Sequence, residues 1–351
     1  MIYICIGSGG VGKTTFASAL SFYLAQEGQR VLVLTIDPSK RLKTTMGIND
    51  SEFKEIQDPS FTGSLHASVI NHQKTFNDFL MRVGDPKLIE KIISNRLYQQ
   101  LSTTLSGSQD FTALEKLLSA YESGKYDAIV LDTPPAQHAV EFLKSPQKLS
   151  KIFSESIAKW FRPDSSTFLG LNLFRKAMQA GATQILVALE KLTGNEFIKE
   201  LTEFFIGIQQ WQAKLEKRVL DCDRILRSDD TKMILVTSLD RVKLKEAEGL
   251  AEDLQKENFH LAAMVVNRAF PIWYEHSQQT KNQELLKQML DYHHSKEHFL
   301  TQFMLHQKGK SIVVRLPELD NDVSDLVGVK SLLKYIKIQF DQLGWVKDEK
   351  K

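Results

Sequence analysis

Nine residues near the start of the chain have the types and the spacing needed to hold a phosphate group. They read Gly7-Ser8-Gly9-Gly10-Val11-Gly12-Lys13-Thr14-Thr15, and the first eight fit the pattern G-x-x-x-x-G-K-[ST]. Glycines let successive backbone N–H groups turn toward one anion, because no Cβ blocks the close approach or the positive φ angles. The Lys13 ammonium could reach the β- and γ-phosphates of a nucleotide, and the Thr14 hydroxyl could bind Mg²⁺. The predicted phosphate-binding residues are Gly9, Gly10, Val11, Gly12, Lys13, Thr14 and Thr15.

The segments on either side of these residues give the pattern its expected context. Residues 2–6 are an apolar run that predicts a buried strand, and residues 16–25 place Phe16, Leu20 and Tyr23 on one face of a helix. A strand, a glycine-rich loop and a helix in this order put the loop at the helix N-terminus, which favours bound anions. A merely structural glycine-rich turn would not explain the adjacent lysine and threonine.

Two carboxylates follow predicted strands further along the chain. Residues 30–37 form a second apolar run that ends in Asp37, and residues 126–132 form a third that ends in Asp132. Because parallel strands present their carboxyl ends at one edge of a sheet, both are expected beside the phosphate loop. Asp37 could orient an attacking water or cap the next helix, whereas Asp132 could lie near Mg²⁺. We predict that Asp37 and Lys13 are catalytic and that the metal ligands are Thr14, Asp37 and Asp132.

The composition limits the classes of function that need to be considered. The 351 residues carry 45 Lys and Arg against 43 Asp and Glu, a balance that gives no broad electrostatic reason to expect nucleic acid. The two cysteines, Cys5 and Cys222, cannot form a disulfide framework or a Cys-based zinc site within one chain. We find no signal-peptide pattern and no apolar run of about 18 residues, so we expect a cytoplasmic protein.

Alternating strand and helix patterns predict the fold class. We expect an α/β protein with a mostly parallel sheet flanked by helices. Further strands are predicted at 233–237, 261–267 and 311–316, and 65–69 is expected to be an edge strand in a mostly helical region, 50–124. The final helix has Leu332, Ile336, Phe340 and Leu343 on one face. That face could cover the sheet, which is the favoured interpretation, or it could bind a membrane.

A long helical stretch interrupts this alternation. We predict a core of residues 1–145 and 227–351 and an inserted helical subdomain at 146–226. Eight apolar residues of the insertion recur at heptad spacing: Phe197, Leu201, Phe204, Ile208, Trp211, Leu215, Val219 and Cys222. The insertion could be a permanently packed helical layer, or its apolar segment 168–192 could form part of a groove for a hydrophobic client.

Three stretches together identify a family. The sequences GSGGVGKTT at 7–15, TIDPSKRL at 35–42 and LDTPPAQHAVEFL at 131–143 resemble the ArsA/Get group of deviant-Walker-A ATPases, most closely its bacterial ArsA-like branch. That group includes the bacterial arsenite-pump ATPase and the eukaryotic ATPase that targets tail-anchored membrane proteins. The resemblance covers nearly the whole chain, and it implies a homodimer with ATP and Mg²⁺ as its ligands.

The resemblance also implies residue roles. Lys13 and Thr14 would bind phosphate and Mg²⁺, Asp37 would polarise the attacking water, and Asp132 would sense the metal. Asn267 and Pro317 match the positions with which the family binds adenine. The Asn-Lys-x-Asp guanine motif is absent after this strand, because Asn267 is followed by Arg268 and Ala269, so ATP is expected over GTP.

The chain departs from the family at the second position of the phosphate loop. Relatives commonly have a lysine there that reaches the partner subunit's nucleotide, and this chain has Ser8. We hypothesise that Lys40 or Arg41 supplies the missing charge; a solvated basic helix start is an equal alternative. The C-x-x-C that bridges zinc in the tail-anchored-targeting branch and the cysteine triad of the arsenite pump are also absent.

The expected function is a Mg²⁺-ATP-hydrolysing switch whose helical subdomain handles a hydrophobic client or a membrane partner. A nucleotide-dependent scaffold with weak hydrolysis is the alternative, which Ser8 would favour. An oxyanion-efflux subunit is expected less, because thiol ligands for arsenite are lacking. A P-loop kinase is expected least.

Overall fold

Strands and helices alternate along the part of the chain that the computed structural model describes. The described residues are 1–36, 46, 53–84, 89–90, 93, 109–147, 213–214, 216–270, 283–307, 311–319, 323 and 325–341.

Eight strands of the described chain form one sheet. They are β1 (Ile2–Ile6), β2 (Arg30–Thr35), β3 (Phe53–Ile56), β4 (Ser64–Val69), β5 (Ala128–Asp132), β6 (Thr231–Ser238), β7 (Leu261–Asn267) and β8 (Ile312–Arg315). Their order across the sheet is β3-β4-β2-β5-β1-β6-β7-β8. β3 runs antiparallel to β4, and the other pairings are parallel. The predicted α/β class with a mostly parallel sheet is confirmed.

Helices connect and flank these strands. Their bounds are α1 (Lys13–Gln26), α2 (His72–Val83), α3 (Gln109–Glu122), α4 (Ala136–Leu143), α5 (Arg241–Lys256), α6 (Gln283–Gln307) and α7 (Leu326–Asp341). Side-chain caps define two of the starts. Asn71 accepts a hydrogen bond from Lys74 N before α2, and Asp240 accepts from Val242 N before α5.

The two strands at the centre of the sheet position the phosphate loop and a carboxylate. All residues of β1 and β5 are buried, as expected for parallel strands covered on both faces. In the register between them, Cys5 pairs with Asp132. The carboxyl end of β5 therefore lies beside the point where β1 continues into the loop that begins at Gly7.

The final helix packs onto the first one rather than standing free. Leu332, Ile336 and Phe340 are buried in the same core cluster as the apolar side chains of α1. The Phe340 ring lies 6.0 Å from the ring of Phe16 and 6.5 Å from that of Tyr23, measured between centroids. We predicted that this face of α7 covers the sheet; its three described residues pack against α1, in a core cluster that also includes strand residues such as Val314, and Leu343 lies outside the described residues.

The chain divides into two compact units. The first comprises Met1–Ile70, Leu117–Leu143 and Ile225–Lys351, and it contains the eight strands. The second comprises Asn71–Lys116 and Lys144–Arg224. The predicted inserted subdomain at 146–226 stays a prediction, because most of it, including 168–192 and the heptad positions before Val219, lies outside the described residues.

One expectation about the region before β5 is wrong. The segment predicted as an edge strand, β4, pairs on one side with β2 and on the other with β3, so it is not at the edge. The strand at this edge is β3, which was not predicted. Three of its four residues are exposed, so no apolar alternation marks it as a strand. Among the described helices, none has the length and apolar composition needed to cross a bilayer.

Candidate functional site

The loop between β1 and α1 depends on two glycines with left-handed backbone angles. Gly10 has a φ of 80°, and Gly12, the N-cap of α1, has a φ of 92°. Side chains with a Cβ rarely adopt such angles, whereas glycine does so without strain. Helix α1 then begins directly at Lys13, and its first N–H groups have no side-chain cap from Gly12. Those groups are the natural donors for an anion at the loop.

Close packing against the ends of neighbouring strands requires glycine at two positions of this loop, Gly7 and Gly12. A Cβ on Gly7 would overlap the carbonyl oxygen of Val236 in β6, and a Cβ on Gly12 would overlap the side-chain amide of Asn267. A Cβ on Gly9 would meet nothing within 4 Å. The loop is therefore packed tightly on the side of β6 and β7, and it is open at Gly9, where a ligand could approach.

The side chain of Lys13 lies close to the backbone of the phosphate loop. Lys13 is buried, with 8% of its surface exposed, and its Nζ donates to the carbonyl oxygen of Ser8 at 3.2 Å. The ammonium group therefore lies across the concave side of the loop. Together with the N–H groups that begin α1, it supplies positive charge where a phosphate would bind.

Two threonines orient the carboxylate of Asp132. Thr14 Oγ1 donates to Asp132 Oδ2 at 2.8 Å, and Thr35 Oγ1 donates to the same oxygen at 3.3 Å. Asp132 is 2% exposed, at the end of β5 between the ends of β1 and β2. A hydroxyl and a carboxylate oxygen at this separation suit a hard divalent cation such as Mg²⁺, which prefers few protein ligands and completes its shell with phosphate and water.

The turn after Asp132 is tied to β1. Thr133 donates to the carbonyl oxygen of Cys5 through both its backbone N–H, at 3.3 Å, and its hydroxyl, at 2.8 Å. Burial, with a smaller contribution from the nearby Asp132 carboxylate, raises the pKa of the Cys5 thiol well above its ordinary value. The thiol is therefore neutral and unreactive at neutral pH.

The two residues predicted to bind adenine lie on loops that are bonded to each other. Asn267 ends β7, and Pro317 follows β8. Ala269 N donates to Leu316 O at 2.8 Å, and Glu318 N donates to Phe270 O at 2.6 Å. The side chain of Asn267 also reaches the phosphate loop, where its Nδ2 donates to Val11 O at 2.9 Å. The structure thus brings the predicted base-binding loops and the predicted phosphate loop into one site.

A family model described as an anion-transporting ATPase of the ArsA type matches residues 1–308. This chain belongs to the ArsA family of ATPases. The ATPase get3 of Aspergillus terreus is 25% identical over 267 residues, which cover 75% of this chain and 71% of that protein. A putative arsenical pump-driving ATPase of Aquifex aeolicus is 23% identical over 277 residues, covering 77% of this chain and 63% of that protein. The predicted family is confirmed, and the protein is an ATPase that binds a nucleotide with a divalent metal.

At the second loop position, this ArsA-family ATPase forms a contact that the sequence did not predict. Ser8 Oγ donates to Glu246 Oε2 on α5 at 2.5 Å, and the same oxygen accepts from Lys243 Nζ at 2.8 Å. The bond from Lys243, followed by that from Ser8, lowers the pKa of the Glu246 carboxyl from its ordinary value. A charged carboxylate–lysine pair therefore adjoins the loop position where relatives commonly have a lysine.

Several predicted residues of this ArsA-family ATPase lie outside the described residues. These are Asp37, Lys40 and Arg41, so the catalytic role of Asp37 and the substitute charge both stay predictions. Ile36 is the last described residue before Asp37. Its N–H donates to Asp132 O at 3.3 Å.

Sequence reasoning missed Thr35 and Glu246. Thr35 is a polar residue at the end of an otherwise apolar strand, which is a signal present in the sequence. Its pairing in register with Asp132 is visible only in the structure. Glu246 carries no comparable signal in the sequence. It is one of several charged residues on α5 and lies 238 residues from Ser8.

Proposed function

We propose that this ATPase is a Mg²⁺-ATP-driven switch that couples binding and hydrolysis to rearrangement of residues 146–226, which the sequence predicts to be helical. One observation carries the proposal: the buried carboxylate of Asp132 accepts the Thr14 hydroxyl at 2.8 Å. That contact joins the phosphate loop directly to the segment that follows β5. Any change in what Thr14 binds therefore changes the partners of Asp132.

The site residues would act as follows. Thr14 Oγ1 and Asp132 would hold Mg²⁺, which would supply positive charge for the β- and γ-phosphates. Lys13 would exchange its bond to Ser8 O for phosphate oxygens. Asp37, two residues after β2 in the sequence, would orient and polarise the attacking water.

Only a short length of chain separates the site from the region predicted to be helical. Asp132 is followed by Thr133-Pro134-Pro135, and then by α4, which ends at Leu143. Proline restricts the backbone of this turn, and Thr133 fastens its start to Cys5. A change at Asp132 would therefore pass into α4 and on to the residues after it, which is a local switching event of the kind that ATP hydrolysis reverses.

What the helical region handles is the second part of the proposal. We propose a hydrophobic client or a membrane partner, with the protein acting as a homodimer, as the family resemblance implies. Oxyanion efflux is supported less well, although relatives are named arsenical pump-driving ATPases. Thiolates are the soft ligands that arsenite would need, and both cysteines, Cys5 and Cys222, are buried.

A fluorescence experiment tests the switch. The chain has four tryptophans, and Trp160 and Trp211 lie within 146–226. Replacing Trp273 and Trp345 with Phe leaves those two as reporters. ATP with Mg²⁺ is expected to shift their emission, and the signal is expected to return as phosphate is released. In the Asp37→Asn protein the shift is expected to appear and persist, with ATP binding retained and phosphate release lost.

The same experiment separates the alternatives. If ATP and ADP give identical emission although both bind, the switch is rejected. If phosphate release is equal in the parent and in Asp37→Asn, the assigned hydrolysis mechanism is wrong and the weakly hydrolysing scaffold is favoured. Lys13→Ala is the control, because it is expected to abolish both binding and the emission change.

A further inference from the structure

The side chain of Arg315 joins α6 to the segment that follows β7. Arg315 is the last residue of β8 and pairs in register with Val266 of β7. Its Nη2 donates to Glu297 Oε1 on α6 at 2.9 Å. Its guanidinium carbon also lies 5.4 Å from the centre of the Phe270 ring, just after β7. One side chain therefore contacts the helix and the segment after the strand at the same time.

Arginine is suited to making both contacts together. The face of its planar guanidinium group can lie against an aromatic ring while the N–H groups at its edge donate to a carboxylate. A lysine ammonium is a compact point charge and can make only one of these contacts well. The side chains of Arg315 and Glu297 are 33% and 54% exposed, so their ion pair contributes little to the stability of the fold. The arrangement therefore favours a role in orienting the groups that Arg315 contacts.

Those groups belong to two loops at the carboxyl ends of β7 and β8. We call residues 268–270 the β7 loop and residues 316–319 the β8 loop. Glu318 N donates to Phe270 O at 2.6 Å, which joins the two loops at the end of the β7 loop. Because Arg315 lies against the ring of the same phenylalanine, holding that ring also holds the spacing between the loops.

Helix α6 approaches the β8 loop at a second position. His293 lies one turn before Glu297, on the same face of α6. Burial, together with the Lys296 ammonium, lowers the pKa of His293, and the Glu318 carboxylate opposes that shift, so the His293 and Glu318 side chains are near each other. Helix α6 is therefore linked to the β7 loop through Arg315 and to the β8 loop near Glu318.

We propose that Arg315 is a positioning residue for nucleotide binding. Held by Glu297 on α6, it fixes the Phe270 ring and thereby the spacing of the β7 and β8 loops, where the nucleoside half of ATP is expected to bind. Losing it would weaken nucleoside binding and not phosphate binding, because the phosphate loop is held separately, by β6 and by Asn267. This inference rests on ATP being the nucleotide of the proposed function.

Inorganic tripolyphosphate tests this role, because it resembles the phosphates of ATP and has no nucleoside. Calorimetry would give dissociation constants for ATP and for tripolyphosphate, each with Mg²⁺, for the parent and for Arg315→Met. Methionine keeps an apolar stem and removes the guanidinium group. We expect the variant to bind ATP about threefold to tenfold more weakly, the factor that corresponds to one cation–π contact with its ion pair. We expect it to bind tripolyphosphate as the parent does.

A double variant tests whether Arg315 acts through Phe270. Phe270→Leu removes the ring and keeps an apolar side chain. If the ring carries the effect, the protein with both Arg315→Met and Phe270→Leu is expected to bind ATP no more weakly than the weaker of the two single variants. Losses of ATP affinity that add would overturn this route.

The matched control is Arg241→Met. Arg241 of α5 lies over the Phe299 ring of α6 at 5.3 Å, so it makes a contact of the same kind with the same helix, from the side of α5. Any effect of its charge acts on the phosphates that both ligands share, so the ratio of the two dissociation constants is expected to match the parent. If Arg315→Met does not fold, as judged by thermal unfolding without ligand, Arg315→Lys replaces it. A smaller loss of ATP affinity and an unchanged tripolyphosphate affinity are then expected.

The outcomes are distinct. Equal weakening of ATP and tripolyphosphate binding in the Arg315 variant, or an unchanged ATP affinity, would overturn the positioning role. These are equilibrium measurements that require no turnover. A selective loss of ATP affinity without a tryptophan response to nucleotide in the parent would remove the switch and leave this inference standing. A normal tryptophan response with unchanged ATP affinity in the variant would do the reverse.

Discussion

Ser8 Oγ lies 2.5 Å from Glu246 Oε2, so the second residue of the phosphate loop is bonded to a carboxylate on α5. Lys243 binds the same oxygen at 2.8 Å and offsets its charge. Both charged side chains are partly exposed, 44% for Glu246 and 32% for Lys243. Their influence on a bound nucleotide is therefore modest and sensitive to salt.

Glu246→Gln is expected to tighten ATP binding by about threefold at low salt, because it removes a negative charge near the phosphates and keeps an oxygen that can accept from Ser8. Lys243→Met is expected to weaken ATP binding by a similar factor. Calorimetric titrations at two salt concentrations would measure both effects, which are expected to shrink at high salt. Weaker ATP binding by Glu246→Gln, tighter binding by Lys243→Met, or no dependence on salt would contradict the electrostatic explanation.

The same carboxylate gives a dependence of stability on pH. The pKa of Glu246 is lowered in the folded protein. The ionised carboxylate therefore contributes fully to stability at pH values above the ordinary glutamate pKa of about 4.3. That contribution is lost as the pH falls through the lowered value. We expect the parent to unfold at higher urea than Glu246→Gln at neutral pH, with the difference closing at acid pH. If the difference in urea midpoint between the two proteins widens as the pH falls, this prediction is contradicted.

Thr35→Val is expected to raise the Mg²⁺ concentration needed for ATP binding by about tenfold, because Thr35 orients the carboxylate that would hold the metal. The free energy of unfolding should fall by about 1 kcal/mol, the usual cost of one lost hydrogen bond. Thr35→Ser keeps the hydroxyl and is the control. A Mg²⁺ titration that is the same for Thr35→Val and the parent would show that Thr35 is not needed to orient Asp132 for the metal.

Glu115→Ala is expected to lower the free energy of unfolding by about 3 kcal/mol, because it leaves the side chain of Arg218 partly buried without its carboxylate. Glu115 is buried on α3. Arg218 binds both of its oxygens, at 3.0 Å and 2.9 Å, and Arg82 binds one at 2.6 Å. Arg82→Ala is expected to cost less than about 1 kcal/mol, because Arg82 is 43% exposed. Urea unfolding would measure both, and equal losses would contradict this ranking.

Phe340→Ala is expected to lower the free energy of unfolding by about 3–5 kcal/mol, because it empties space between α7 and α1. Ile338 lies on the same helix and is 57% exposed, so Ile338→Ala should change stability by less than about 0.5 kcal/mol. Neither variant is expected to alter sedimentation with anionic lipid vesicles. Loss of vesicle binding by Ile338→Ala would instead support a membrane-binding role for the exposed face of α7.

The parts of the site that could be predicted from sequence are those whose physics is local. Gly10 and Gly12 were predicted because a phosphate loop needs residues without a Cβ, and both have positive φ angles. Asp132 was predicted because a carboxylate at the end of an apolar strand stands out from its neighbours.

The parts that were missed depend on distant pairing. Thr35 donates to Asp132 only because β2 and β5 are neighbours in register, 97 residues apart. The bond between Asn267 and Val11 depends on how β7 lies relative to β1, which no local pattern encodes. The strand β3 is short, charged and largely exposed, so it forms only because β4 offers it an edge.

The position of β1 between β5 and β6 imposes an order on synthesis of the protein. β1 is made long before its two neighbours in the sheet, which begin at Ala128 and Thr231. At about 5–20 residues per second, the ribosome needs on the order of tens of seconds to reach β6. Until β5 is made, the apolar residues of β1 have no native partner in the sheet, and until β6 and β7 are made, the glycine-rich loop has no Val236 or Asn267 to pack against. The nascent chain therefore becomes able to bind a nucleotide only late in its synthesis. Until then the apolar residues of β1 are exposed to aggregation.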